Sequence, residues 1–125
     1  MKDGFIKAAA YSPAVTLGDP EKNADAAIAA VRRADAAGAR ILVLPELFLT
    51  GYTCADIFFQ IKLLRAAEDA LGRLLDATSD TRVLCAVGLP VRYGARLYNC
   101  AAVCCAGRLL GLTVKSNLPN YSEFY

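Results

Sequence analysis

Short apolar runs alternate along this chain with longer segments in which apolar residues recur every three or four positions. The runs at 5–11, 41–44 and 83–89 are typical of strands, and the run at 41–44 is continuous, as in buried parallel sheets. Helical spacing between the runs is kept by Ala24, Ala27, Ile28, Val31 and Ala34, and then by Ile57, Ile61, Leu64, Leu71, Leu74 and Leu75. This part of the chain is therefore predicted to fold as β-α-β-α-β.

The predicted helices carry signals at their ends. Asp19 is expected to cap the first helix, with Pro20 at the first helical position and Glu21 in the first turn, where the helix dipole favours a carboxylate. Gly38 supplies the stop, because glycine adopts the left-handed conformation that often ends a helix. Asp56 is predicted to cap the second helix.

Two hairpin turns follow the third predicted strand. The turn at 93–96 leads into a strand at 97–105, and the turn at 106–107 leads into a last strand at 108–114. The complete order predicts an α/β fold with a mixed sheet and flanking helices on one or both faces.

Three residues inside these strands are interpreted as structural. Gly88 and Gly111 are expected to be packing glycines, where another part of the protein comes close to the backbone. Asn99 interrupts an apolar run, and we expect it to satisfy backbone groups at a strand edge rather than to contact a substrate.

The composition indicates one domain with an excess of apolar surface. Of 125 residues, 56% are hydrophobic and the mean hydropathy is +0.35, which is high for a complete soluble domain. No apolar run approaches the roughly 20 residues of a membrane-spanning helix. We therefore expect further protein, or a second copy in a homo-oligomer, to cover part of this chain. The net charge of +2, with its signs interspersed, gives no support for nucleic-acid or membrane-surface binding.

The cysteines and the lack of histidine limit the kinds of catalytic and metal sites that this segment can form. The five cysteines form an odd set without Cys-x-x-Cys spacing, and four lie in apolar runs, so they are expected to be buried thiols in a reducing cytoplasm. The chain has no histidine, which removes Ser-His-Asp and Cys-His catalysis and histidine-bound metals from this segment. No metal site is expected here.

Two charged residues follow apolar strands and are the candidates for a site. Glu46 comes after the strand at 41–44, and Lys115 comes directly after the strand at 108–114. Ligands of α/β sheets gather at the carboxyl ends of strands, so we expect these ends to be neighbours and their side chains to meet. Taken singly, each residue is more typical of a solvent-exposed position after a strand than of a site.

Three segments together carry a resemblance to a known family. They are Pro45-Glu46-Leu47, the run Gly-Tyr-Thr-Cys-Ala-Asp at 51–56, and the run Leu-Pro-Asn-Tyr-Ser-Glu-Phe-Tyr at 118–125, which follows Lys115. With these segments the chain resembles the nitrilase, or carbon-nitrogen hydrolase, superfamily. More narrowly, it looks like the N-terminal glutaminase domain of glutamine-dependent NAD synthetases. The resemblance implies that the predicted sheet and helices are part of an α-β-β-α sandwich.

The resemblance also implies roles for individual residues. In that family a Glu-Lys-Cys triad hydrolyses an amide, and by motif position Glu46 and Lys115 match the triad glutamate and lysine. Glu123 matches a second glutamate that positions the catalytic groups. Tyr121 matches an aromatic residue of the glutamine pocket, to which Tyr52 contributes from another loop. The triad cysteine is expected beyond the end of this chain, and none of the present cysteines falls in a matching motif.

The function implied is release of ammonia from glutamine for ATP-dependent amidation of nicotinate adenine dinucleotide to NAD. On this interpretation, residues 1–125 are the N-terminal part of a truncated cytoplasmic glutaminase domain and are inactive alone. No cofactor is expected within them, and ATP and Mg²⁺ are expected in the synthetase domain of the full-length enzyme. Two alternatives stay open: a stand-alone nitrilase-type amidase, and a non-catalytic α/β module for interaction. The sequence downstream would distinguish the three.

Overall fold

The computed structural model describes residues 4–51 and 61–116. Within these ranges five strands and two helices follow in the order β1 (Lys7–Ala10), α1 (Pro20–Ala36), β2 (Ala39–Val43), α2 (Ile61–Ala77), β3 (Leu84–Tyr93), β4 (Arg96–Cys105) and β5 (Arg108–Val114). The predicted α/β class and the order of elements are confirmed. The largest difference in extent is in β3, which continues to Tyr93 although its predicted strand ended at Leu89, and β1 is shorter than the apolar run at 5–11.

The strands form one mixed sheet in the order β1-β2-β3-β4-β5. The pairs β1–β2 and β2–β3 are parallel, as crossover helices require, and the hairpin pairs β3–β4 and β4–β5 are antiparallel. Gly88 of β3 is opposite Ala101, and Cys100 of β4 is opposite Val114. This register brings the end of β5 level with Asn99 and with the later residues of β3.

Helix α1 begins and ends where its local signals predict. Asp19 is the N-cap and accepts a hydrogen bond from the Lys22 backbone N–H at 3.1 Å, and Pro20 occupies the first position. Gly38 has a φ of 78°, the left-handed conformation expected of a residue that ends a helix. The predicted cap of α2, Asp56, lies outside the described residues.

The core lies between the helices and one face of the sheet. Helices α1 and α2 pack against each other, α1 also contacts β2, and α2 contacts β3. Alanines on α1 allow this helix to approach closely, while leucines fill the space from α2. Fully buried members of this core include Ala24, Ala27, Leu74, Leu42, Val87, Leu89 and Ala102.

Strand β5 is apolar but exposed. Leu109, Leu110, Leu112 and Val114 keep between 44% and 57% of their surface accessible. Gly111, in the same strand, has no described atom within 4 Å of the position a Cβ would occupy, so its interpretation as a packing glycine was wrong. None of the helices within 4–51 and 61–116 combines the length and apolarity needed to span a membrane.

Candidate active site

Glu46 and Lys115 meet in a direct ion pair, although 69 positions separate them in the chain. The Lys115 Nζ atom lies 2.6 Å from Glu46 Oε1, and the two side chains are 36% and 35% exposed, respectively. A short charge-assisted hydrogen bond of this kind is about twice as strong as a neutral one. The pair is accessible to a small molecule and is partly shielded from water.

The route by which the two residues meet differs from the prediction. The ends of β2 and β5 are not neighbours, because β3 and β4 lie between them in the sheet. The two charges meet because the segment after β2 crosses the sheet above β3 and carries Glu46 towards β4 and β5. The prediction that these two strand ends are neighbours was wrong, because it assumed that side chains that meet must follow adjacent strands.

Gly88 marks the point at which this segment crosses β3. A Cβ built on Gly88 would lie 2.3 Å from the Leu47 backbone nitrogen, 2.7 Å from the Pro45 carbonyl oxygen and 2.9 Å from the Glu46 carbonyl carbon. All three are backbone atoms, which cannot move aside by changing a rotamer. Gly88 is therefore confirmed as a packing glycine, and what packs on it is the backbone that holds Glu46.

The residues after Glu46 form a tight, buried turn. Leu47 has a φ of 53°, which is unfavourable for a leucine, and its side chain is only 2% exposed. The Leu47 carbonyl accepts hydrogen bonds from the N–H groups of Gly51 at 2.8 Å and Thr50 at 3.2 Å. Leu49 donates its N–H to the Gly88 carbonyl at 3.0 Å. Strained backbone that its surroundings hold in place is a recurring property of functional sites.

Asn23 ties the same turn to helix α1. Its side chain is fully buried and donates to the Leu49 carbonyl at 3.1 Å and to the Thr16 carbonyl at 2.8 Å, while its Oδ1 accepts from the Thr16 N–H at 2.7 Å. Glu46 is thus held from the sheet side by Gly88 and from the helix side by Asn23.

Asn99 is a member of the site that the sequence analysis misassigned. Its Nδ2 donates a hydrogen bond to Glu46 Oε1 at 2.7 Å, and Asn99 as a whole is only 8% exposed. The expectation that its side chain satisfies strand-edge backbone groups was wrong, since the side chain bonds to the candidate catalytic carboxylate. The available signal was a polar residue inside the apolar run at 97–105.

An open groove of about 240 Å³ adjoins the ion pair, and its surface is mainly apolar. Glu46, Asn99, Thr113 and Lys115 contribute its polar side chains, and Leu44, Pro45, Ala86, Gly88, Cys100 and Ala101 are among the other lining residues. An apolar groove with a few convergent polar groups is the usual form of a small-molecule site.

The described cysteines are structural. Cys85, Cys100 and Cys104 are buried, Cys105 is partly buried, and all four are free thiols. Cys100 lines the groove, but burial raises the pKa of its thiol and so disfavours the thiolate needed for attack. Cys54 lies outside the described residues, as do Tyr52, Tyr121 and Glu123, so their predicted roles stay predictions.

The arrangement combines a carboxylate able to move a proton, a fixed positive charge and a neutral amide donor. Within 4–51 and 61–116 there is no cluster of three or more side chains of the types that bind metal ions. The groups present suit acid–base chemistry next to a polar bond of a small substrate.

Comparisons with known proteins agree on a family. The carbon-nitrogen hydrolase family model matches residues 7–124. The glutamine-dependent NAD(+) synthetase of Mycobacterium tuberculosis is 42% identical over 98% of this chain and 18% of its own length. The crystal structure of a glutamine-dependent NAD(+) synthetase from Cytophaga hutchinsonii superimposes with a TM-score of 0.85 at 30% identity, over 92% of this chain and 20% of that one.

A shorter relative is also similar. A variant of the Nesterenkonia sp. AN1 amidase, solved after Michael addition of acrylamide at its active-site cysteine, gives a TM-score of 0.78 at 25% identity. The match covers 95% of this chain and 47% of the amidase. The present chain therefore spans less than half the length of each of these three relatives.

Proposed function

The chain belongs to the carbon-nitrogen hydrolase family, and from this premise we propose that it is part of the glutamine-hydrolysing unit of a glutamine-dependent NAD synthetase. The observation that carries the proposal is the 2.6 Å pairing of Glu46 with Lys115 beside a groove. It is supported by 42% sequence identity, over 98% of this chain, to a synthetase of that name.

We assign Glu46 the role of general base. The attacking thiol must lose its proton before its sulfur bonds to the amide carbon of glutamine, and the same proton is needed later by the departing ammonia. A carboxylate at the edge of a groove, held by two donors, is suited to carry that proton between the two steps. The nucleophile itself is a cysteine outside this chain, and acrylamide addition at the active-site cysteine of the Nesterenkonia amidase supports a thiol in the role.

We assign Lys115 the stabilisation of developing negative charge. When the thiolate attacks, the amide oxygen becomes an oxyanion, which a fixed cation nearby stabilises more in the transition state than in the ground state. The pairing with Glu46 holds the ammonium at the groove before substrate binds. Tyr52 and Tyr121 complete the glutamine pocket in this proposal, and Glu123 helps to position the catalytic groups.

The remaining partners belong to the protein beyond this chain. Ammonia released from glutamine would amidate nicotinate adenine dinucleotide in a synthetase domain that uses ATP and Mg²⁺. The proposal also includes a cytoplasmic location. It further includes a homo-oligomer, because the apolar side chains of β5 are about half exposed and a second copy could cover them.

A second candidate function is a stand-alone amidase. It is favoured by the similarity to the Nesterenkonia enzyme, which extends over 95% of this chain. The catalytic roles of Glu46 and Lys115 would be the same, but the ammonia would be released as a product and not passed to a synthetase.

One reconstitution distinguishes the two functions. The full-length protein that contains this chain is supplied with ATP, Mg²⁺, nicotinate adenine dinucleotide and either glutamine or ammonium chloride, and NAD is measured. We expect NAD from both nitrogen sources. Hydrolysis of simple amides without NAD formation from either source would overturn the synthetase and establish the amidase.

A further inference from the structure

One oxygen of Glu46 accepts two hydrogen bonds. Lys115 Nζ lies 2.6 Å from Oε1, and Asn99 Nδ2 lies 2.7 Å from the same atom. Within the described part of the chain, Oε2 accepts no hydrogen bond. A carboxylate oxygen with two short donors has little capacity left for a further proton, so the other oxygen is the one available for proton transfer.

Asn99 is better suited than Lys115 to fix this orientation. The lysine has a flexible stem of four carbons and a side chain that is 36% exposed. Asn99 has a short side chain on the central part of β4 and is 8% exposed. Its amide is also neutral, so it can orient the carboxylate without adding a charge that substrate binding would have to displace.

Asn99 also holds the lysine. Its backbone carbonyl accepts a hydrogen bond from the Lys115 N–H at 2.9 Å, immediately after β5 ends. Asn99 therefore binds the Glu46 carboxylate through its side chain and the Lys115 backbone N–H through its own backbone carbonyl. The distance between the two charged groups depends on the position of Asn99.

Resting on the glutaminase function proposed above, we propose that Asn99 is a positioning residue that reserves Glu46 Oε2 for proton transfer. Asn99 lines the groove, but its side-chain amide donates to Glu46 Oε1, so it acts through that carboxylate. It saturates Oε1 together with Lys115 and so stops the carboxylate from rotating between equivalent orientations. In each catalytic cycle the proton from the thiol would then be accepted, and later returned, by the same oxygen.

The test uses Asn99→Leu in the full-length enzyme, because leucine has the same branched shape and no donor. We expect the glutamine-driven kcat to fall about 10- to 100-fold, within the range lost when catalytic groups are misplaced by about an ångström. The KM for glutamine should change less than about 2-fold, since Asn99 acts on the base and not on substrate binding. NAD formation from ammonium should keep its wild-type rate.

Two further variants keep the test decisive. Asn99→Asp has the same shape but presents an oxygen to Glu46 Oε1, and it should lower the glutamine-driven kcat at least as far, even where Asn99→Leu fails to fold. Cys104→Ala is the matched control, because it truncates another buried residue of β4 that lies in the core, bonds to the Cys85 carbonyl and does not line the groove. It should leave the glutamine-driven kcat unchanged.

A double variant tests whether Asn99 acts through Glu46. Adding Asn99→Leu to Glu46→Gln should cause little further loss, since the group being oriented is already inactive. A wild-type kcat in Asn99→Leu or Asn99→Asp, an equal loss in Cys104→Ala, or a full additional loss in the double variant would overturn the inference. A wild-type enzyme that makes NAD only from ammonium would instead overturn the proposed glutaminase function.

Discussion

Gly88→Ala perturbs the site without touching any charged group. The new methyl would lie 2.3 Å from the Leu47 backbone nitrogen, whereas ordinary contact begins at 3.4 Å, so this nitrogen must retreat by about 1.1 Å. The Pro45 carbonyl oxygen at 2.7 Å must retreat by about 0.7 Å. Because both atoms are next to Glu46 in the chain, Glu46 must move with them.

A shift of that size is large compared with the geometry of the site. The bonds from Lys115 and Asn99 to Glu46 Oε1 are 2.6 and 2.7 Å long, and moving the acceptor away by about an ångström would stretch both beyond hydrogen-bonding distance. Overpacking at a well-filled position costs about 1–3 kcal/mol of stability. A misplacement of about 1 Å near the reacting groups can cost about 100-fold in rate.

The assay compares glutamine-driven and ammonium-driven NAD formation in the full-length enzyme. Gly88→Ala should reduce the glutamine-driven rate about 100-fold and lower the melting temperature, while ammonium still supports synthesis. Gly111→Ala is the matched control, because the same methyl is added to a strand of the same sheet, with no described atom within 4 Å. This control should behave as wild type in both assays.

A glutamine-driven rate within about 3-fold of wild type in Gly88→Ala would refute the reasoning. It would mean that the backbone above β3 has room for the methyl, and that the close approach of residues 45–47 does not fix Glu46. An equal loss in Gly111→Ala would show that the assay reports general damage to the sheet.

Three further predictions concern the chain outside the ion pair. The 125-residue chain alone should release no ammonia from glutamine, because its described thiols are buried or lie off the family motif, and release that Glu46→Gln abolishes would contradict this. The exposed apolar surface of β5 should make that chain associate, so a monodisperse monomer at high concentration by light scattering would count against it. The Arg32 guanidinium lowers the pKa of Asp80, so this exposed pair stabilises the fold above pH 3.8 and loses its effect as the pH falls. The wild-type chain should therefore have a slightly higher free energy of unfolding than Asp80→Asn above pH 3.8, and this difference should shrink as the pH falls and disappear in high salt. A difference that grows towards low pH would contradict the prediction.

Local signals predicted the elements well because each depends on residues close in sequence. Asp19 and Pro20 determine the start of α1, and Gly38 determines its end, through capping and left-handed geometry that involve only nearby backbone groups. The apolar runs predicted the strands for the same reason. Element order was then enough for the class of fold.

The site was predictable only in part, because it depends on strand order and on a crossing segment. Periodicity cannot show that β3 and β4 separate the ends of β2 and β5, so the meeting of Glu46 with Lys115 was expected for the wrong reason. The sequence predicted Gly88 as a packing glycine, but it could not show that the backbone of residues 45–47, which holds Glu46, packs on it. Asn99 is 53 positions from Glu46, and only the folded sheet shows that its amide points to that carboxylate.

The central claim is that Glu46 and Lys115 serve to liberate ammonia from glutamine. Glu46→Gln in the full-length enzyme tests it most directly, since the change keeps volume and hydrogen bonding and removes the base. Glu68→Gln makes the same chemical change at an exposed position of α2 and is the control. Lys115→Met removes the charge and keeps most of the stem.

The measurement is the ratio of glutamine-driven to ammonium-driven NAD formation in each variant. Glu46→Gln and Lys115→Met should lower this ratio by about 10²–10³ or more, as is typical for loss of a general base or an oxyanion donor, while Glu68→Gln leaves it unchanged. If ammonium-driven synthesis falls by the same factor, or if the ratio stays at the wild-type value, the pair is structural and the account of this site is wrong.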